Sequence, residues 1–83
     1  MKVSVEIAPY ENGISLTWVD GFEITCKENY GAIHIQANAE GLKSLASLCM
    51  TLAQDEVPPH SHIHLDEHNS LEDGSVELII ERV

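Results

Sequence analysis

Four of the chain's five histidines fall in the run His60-Ser61-His62-Ile63-His64-Leu65-Asp66-Glu67-His68. Imidazole carries protons near neutral pH and ligates transition metals, so any chemistry in this chain belongs there. The histidines alternate with apolar residues as a strand does, and residues two apart on a strand share a face at about 7 Å. At that spacing His62 and His64 can both reach one ion. His34 or Glu77 on a neighbouring strand would be a third ligand, and zinc or nickel suits such a set. The same residues also fit a polar sheet face whose histidines hydrogen-bond to neighbouring hydroxyls or lie in a partner interface. The polar face is the better reading of these residues.

Catalysis finds little support. Metallo-β-lactamase-like hydrolases use a similar HxHxDH run, but here an extra residue separates Asp66 from His68, and 83 residues cannot supply that far larger fold. Ser61 and Ser70 sit among histidines without a Gly-x-Ser-x-Gly elbow. No glycine loop cradles phosphate. Cys26 and Cys49 lie outside any CxxC and read as buried, reduced thiols, which suits a cytoplasmic protein. Cys49 is expected on the core face of a helix and unreactive. The sequence therefore predicts no catalytic residue, no cofactor and no enzyme.

Charge narrows the partners. The formal net charge is −10, with only 4 Lys and Arg, which repels nucleic acid phosphates and anionic membranes. No stretch approaches the ~20 apolar residues of a membrane span, and the alternating start lacks the apolar core of a signal peptide. Carboxylates gather in the second half, at Asp55-Glu56, Asp66-Glu67, Glu72-Asp73, Glu77 and Glu81. Such a surface steers a basic protein partner and supplies acceptors for its Arg and Lys.

The elements that position these groups follow from hydrophobic period. Alternation predicts strands over 3–7, 14–19, 22–27 and 33–37, separated by turns at Pro9–Asn12, Asp20-Gly21 and Glu28–Gly31. Residues directly opposite share a face, so parity tests each hairpin. A loop over 28–31 pairs Cys26 with Ile33 and Ile24 with Ile35. A three-residue loop Val19-Asp20-Gly21, with Gly21 left-handed, sets Trp18 opposite Phe22 and Leu16 opposite Ile24. After Asn38, a good N-cap, the period becomes helical: Leu42, Leu45, Ala46, Cys49, Leu52 and Ala53 form the stripe, widened by Leu48. Gly41 inside it suggests a close backbone approach. Pro58 and Pro59 end the helix. A fifth strand covers 60–65, a loop pinned by Leu71 covers 67–74, and a sixth strand covers 75–81.

The order β-β-β-β-α-β-β, with one apolar face per strand, predicts a single α+β domain of two layers, an antiparallel sheet of about six strands with one helix on one face. Six strands span about 24 Å and one helix covers ~10 Å. The uncovered apolar area must be removed by curling or by a second copy, making a homodimer. The open face carries Ser15, Thr17, Thr25, His34, Gln36, His60, His62, His64, Glu77 and Glu81. The candidate partner-binding set is His34, Gln36, His62, His64, Asp66 and Glu77, with His62 and His64 the candidate metal pair.

Three segments carry a resemblance. Asn38-Ala39-Glu40-Gly41-Leu42-Lys43-Ser44-Leu45-Ala46, His62-Ile63-His64-Leu65-Asp66 and Leu71-Glu72-Asp73-Gly74-Ser75-Val76-Glu77-Leu78-Ile79-Ile80 resemble the thirty-second immunity-protein family of bacterial polymorphic-toxin systems, mainly over 38–83. The resemblance implies a small cytoplasmic protein that binds and neutralises a toxin domain. It carries no catalytic residue over.

Overall fold

In a computed structural model describing residues 2–83, four strands and one helix follow in the order β1 (Ile24–Asn29), β2 (Ala32–Ala37), α1 (Ala39–Leu52), β3 (His62–Leu65) and β4 (Leu78–Glu81). Met1, the first residue of the alternating start, lies outside the described residues. β1 pairs antiparallel with β2, and β3 with β4, as two separate two-stranded sheets. The class is α+β, but the expected six-stranded, two-layer sheet is overturned.

The reason lies in residues 2–19, whose alternation promised two strands. Alternation describes faces and does not by itself supply a neighbour for the backbone. Here the neighbour is the helix with the turn that follows it. Ser44 Oγ accepts the Val19 N–H at 2.9 Å, and Ser47 Oγ donates to the Glu6 carbonyl. Gln54 accepts the Tyr10 N–H at 3.0 Å and donates to the Ala8 carbonyl at 3.2 Å. These contacts provide what a strand ladder would have provided.

The same contacts rotate the helix. Its buried residues are Gly41, Ser44, Ser47, Leu48, Thr51 and Leu52. Leu42 is 57% exposed, and Ala46 and Cys49 are exposed too, so the expected stripe through these three is wrong by about one residue's turn. Small residues face inward because the chain passes close. A Cβ on Gly41 would lie 2.5 Å from the Glu23 carbonyl oxygen and 3.0 Å from Ile24. Ser44 and Thr51 also donate to the carbonyls of Glu40 and Ser47, so no buried side-chain polar atom among the described residues lacks a partner.

Asn38 caps the helix as expected. Its Oδ1 accepts from Gly41 N–H at 2.7 Å and Glu23 N–H at 3.0 Å, while its Nδ2 donates to the Gly21 carbonyl at 2.9 Å. The other end stops at Leu52, short of the prolines, with Ala53 as C-cap. No basic residue lies in the last turn. Arg82, just beyond β4, supplies the cation instead, donating to the carbonyls of Leu52 at 2.8 Å and Gln54 at 3.0 Å, where the helix dipole is negative.

Turn chemistry fixes the hairpins. Tyr30 and Gly31 have φ of 52° and 82°, the double positive φ of a type I′ turn. The two-residue loop slides the register by two, pairing Cys26 with Ile35 and Ile24 with Ala37 in place of Ile33 and Ile35. The parity, and so the face, is unchanged. At the expected bulged turn, Phe22 N–H donates to Val19 O at 3.1 Å around Asp20-Gly21, a tighter loop with Gly21 at φ 82°. Trp18 and Phe22 stack with centroids 4.7 Å apart without a ladder between their segments.

One strap joins the two hairpins. Glu72 and Val76 donate to the carbonyls of Ile24 and Cys26 at 2.9 Å each, along the β1 edge that β2 leaves free. Beneath it lies the core of Ile24, Cys26, Leu48, Leu52, Val57, Ile63, Leu65 and Leu71. Without six adjoining strands, the geometric need for curling or dimerisation lapses, although Ile33 and Ile35 on β2 stay 58% and 44% exposed.

Gly41→Ala, which at an open helix position would gain about 1 kcal/mol, should lose about 1–2 kcal/mol in denaturant unfolding because overpacking costs more; a net gain would remove the close approach as its cause. In the native protein, a thiol reagent should modify the exposed Cys49 and spare Cys26, which is 1% exposed, until the chain unfolds.

Candidate functional site

The histidine run sits at the entrance to the second hairpin. β3 alternates as predicted: Ile63 and Leu65 are buried, His62 and His64 exposed. The pairing sets His62 opposite Glu81 and His64 opposite Ile79. His60 departs from the pattern. Its φ is 73°, its N–H donates to the Arg82 carbonyl at 2.8 Å, and Arg82 N–H donates to the Ser61 carbonyl at 2.8 Å. Two residues thus oppose one, a bulge whose left-handed position usually holds glycine. The bulge brings the His60 ring to Glu81, Nδ1 to Oε2 3.3 Å.

The face so formed is a row of imidazoles flanked by carboxylates. The His62 and His64 rings meet edge to face with centroids 4.9 Å apart. His62 Nδ1 lies 2.9 Å from the His60 carbonyl, and His64 Nδ1 lies 3.1 Å from Glu77 Oε2. His68 and Glu67 approach at 3.8 Å. All three histidine–carboxylate pairs are solvent-exposed, and pairs of that kind contribute at most about 1 kcal/mol. Their value is in display and not in stability.

The predicted set divides. His62, His64 and Glu77 come together on β3 and just before β4. His34 and Gln36 stand on β2 in the other sheet, lining a depression of about 390 Å³ with Lys27, Glu28 and Asn29. Asp66 is half-buried and serves the loop: its Oδ1 accepts the His68 N–H at 2.8 Å, and its carbonyl accepts from Asn69, Ser70 and Leu71. Among the described residues no group of three or more His, Cys, Asp or Glu is placed to hold a metal ion, so neither His34 nor Glu77 completes a three-ligand set with the His62–His64 pair.

Sequence reasoning missed one neighbour. Tyr10, Gly13 and Ile14 join Pro59, His60, Ser61 and His62 around a depression of about 420 Å³. No signal in the sequence links residue 10 to residue 60, because Tyr10 is brought there by its N–H bond to the Gln54 side chain.

Comparison with known proteins adds one finding. The family described as Immunity protein 32 matches residues 32–83, more than half of the chain. The matched segment holds β2, α1 and the whole histidine hairpin. No curated protein and no solved structure matches the chain.

The role of Asp66 is open to direct measurement. Asp66→Ala should cost about 1 kcal/mol through the lost bond to a charged acceptor and speed amide exchange at His68, and Asp66→Asn should restore most of both. Unchanged exchange in the alanine variant would return Asp66 to the surface set.

Proposed function

The chain belongs to the Immunity protein 32 family, and on that premise we propose that it neutralises a toxin domain by binding it directly, in the cytoplasm and without catalysis. The family match is the observation that carries this reading. The net charge of −10 supports a partner with a basic contact surface. The exposed face of β3 and β4 offers Glu77 and Glu81 as acceptors for Arg and Lys, with His60, His62 and His64 between them as flat, amphipathic contacts. β3 presents His62 and His64 on a paired strand held from below by Ile63 and Leu65, so little ordering is left for the moment of binding. His34 and Gln36 on β2 provide a second polar patch for the same partner.

The test is inhibition of toxin domains encoded beside the gene. The chain should bind one of them and suppress its activity at equimolar ratio. The double reversal Glu77→Lys with Glu81→Lys should weaken that binding at least tenfold, chiefly by slowing association, with the wild-type association rate falling as salt rises. If no neighbouring product is bound, the immunity reading fails. If binding is intact in the double reversal, the toxin uses another face.

A further inference from the structure

We propose that His62 and His64 chelate a divalent transition-metal ion of the copper, nickel or zinc class through their Nε2 atoms, in a solvent-open site. This reaches beyond the immunity reading and does not rest on it.

Hydrogen bonds set the ring tautomers. The atom facing His62 Nδ1 is a backbone carbonyl oxygen, 2.9 Å away, and a carbonyl only accepts. His62 must therefore hold its proton on Nδ1. His64 Nδ1 faces the Glu77 carboxylate at 3.1 Å, and an ionised carboxylate also only accepts. Both neutral rings thus keep the Nε2 lone pair free. A ring N–H given to a backbone carbonyl or a carboxylate, with the other nitrogen free, is the arrangement that orients metal-ligating histidines and raises their basicity.

The rings are also close to one another, edge to face at 66°. Side chains two apart on a strand leave the backbone about 7 Å apart, yet these rings are centred 4.9 Å from each other. They lean together. Beneath them the strand is fixed by pairing to β4 and by the buried Ile63 and Leu65, so a chelate would not have to order the backbone.

Charge favours the ion as well. Glu77 touches His64, and Glu81 stands opposite His62, so a dication enters a region already negative. With two imidazoles and no third protein ligand in place among the described residues, water fills the remaining positions. The site is consequently an exchangeable one and not a structural one. Affinity should follow the usual order, copper above nickel and zinc.

Titration calorimetry of the untagged protein with each metal ion alone tests this. One ion per chain should bind, copper most tightly. His62→Ala and His64→Ala should each weaken binding at least tenfold, and Glu77→Ala by about tenfold, with circular dichroism showing each variant folded. His34→Ala and His68→Ala should leave affinity unchanged. For Glu77, a shift of the His64 ring nitrogen resonances to the other tautomer separates positioning from a mere loss of charge. Absence of saturable binding to all three metals overturns the proposal, as does binding that survives the double His62→Ala, His64→Ala variant.

Discussion

A backbone that runs against a protein interior has to satisfy its N–H and C=O groups, and in this chain the obligation falls on side chains of one helix and of the turn just after it. Residues 2–19 have no strand beside them. Ser44 and Ser47, three apart on α1, and Gln54, two residues past its end, meet the backbone at Val19, Glu6, Ala8 and Tyr10. A buried polar group left without a partner costs about 1–3 kcal/mol. The four groups met here are partly buried, and together they offset the gain from burying one or two extra leucines, at about 1.5–3 kcal/mol each. The helix accordingly turns its hydroxyls inward and leaves Leu42 partly in water.

The two ends of that helix are fastened differently. Asn38 joins the start of α1 to the turn at Gly21–Glu23, so the cap is also the hinge between the irregular first part and the first hairpin. Arg82 joins the end of α1 to the last strand and at the same time provides the backbone partner for the bulge at His60 and Ser61. The position of the first imidazole in the row is thereby tied to the helix terminus. One residue thus neutralises a helix end with its guanidinium and shapes the displayed face with its backbone.

Local chemistry was legible in the sequence. The N-cap at Asn38, the close approach at Gly41, the anchoring of the loop by Leu71, and the exposure of His62 and His64 over buried Ile63 and Leu65 all follow from residue type and immediate spacing. The burial of Cys26 and its parity with the β2 isoleucines were legible too, while their exposure and the register were not; Tyr30 entering the left-handed region is not what its side chain favours. Non-local facts were not legible. The stripe of Leu42, Ala46 and Cys49 scores well as an apolar face until one knows that a neighbouring backbone requires hydroxyls. The predicted site failed in the same way: His34 and His62 both alternate outward, but only the pairing of strands could show that they stand on different sheets.

The strap from Glu72 to Val76 gives the fold a timetable. The β1–β2 hairpin can close locally, on the order of microseconds, using residues within one short stretch. The other edge of β1 waits for a segment 49 residues further along, the separation of Cys26 from Ser75. Until that segment arrives, β1 presents an unpaired edge at Ile24 and Cys26, of the kind that recruits foreign strands. Assembly is therefore a race between the chain's own later residues and any other strand in solution, and the finish line is the moment Glu72 reaches Ile24.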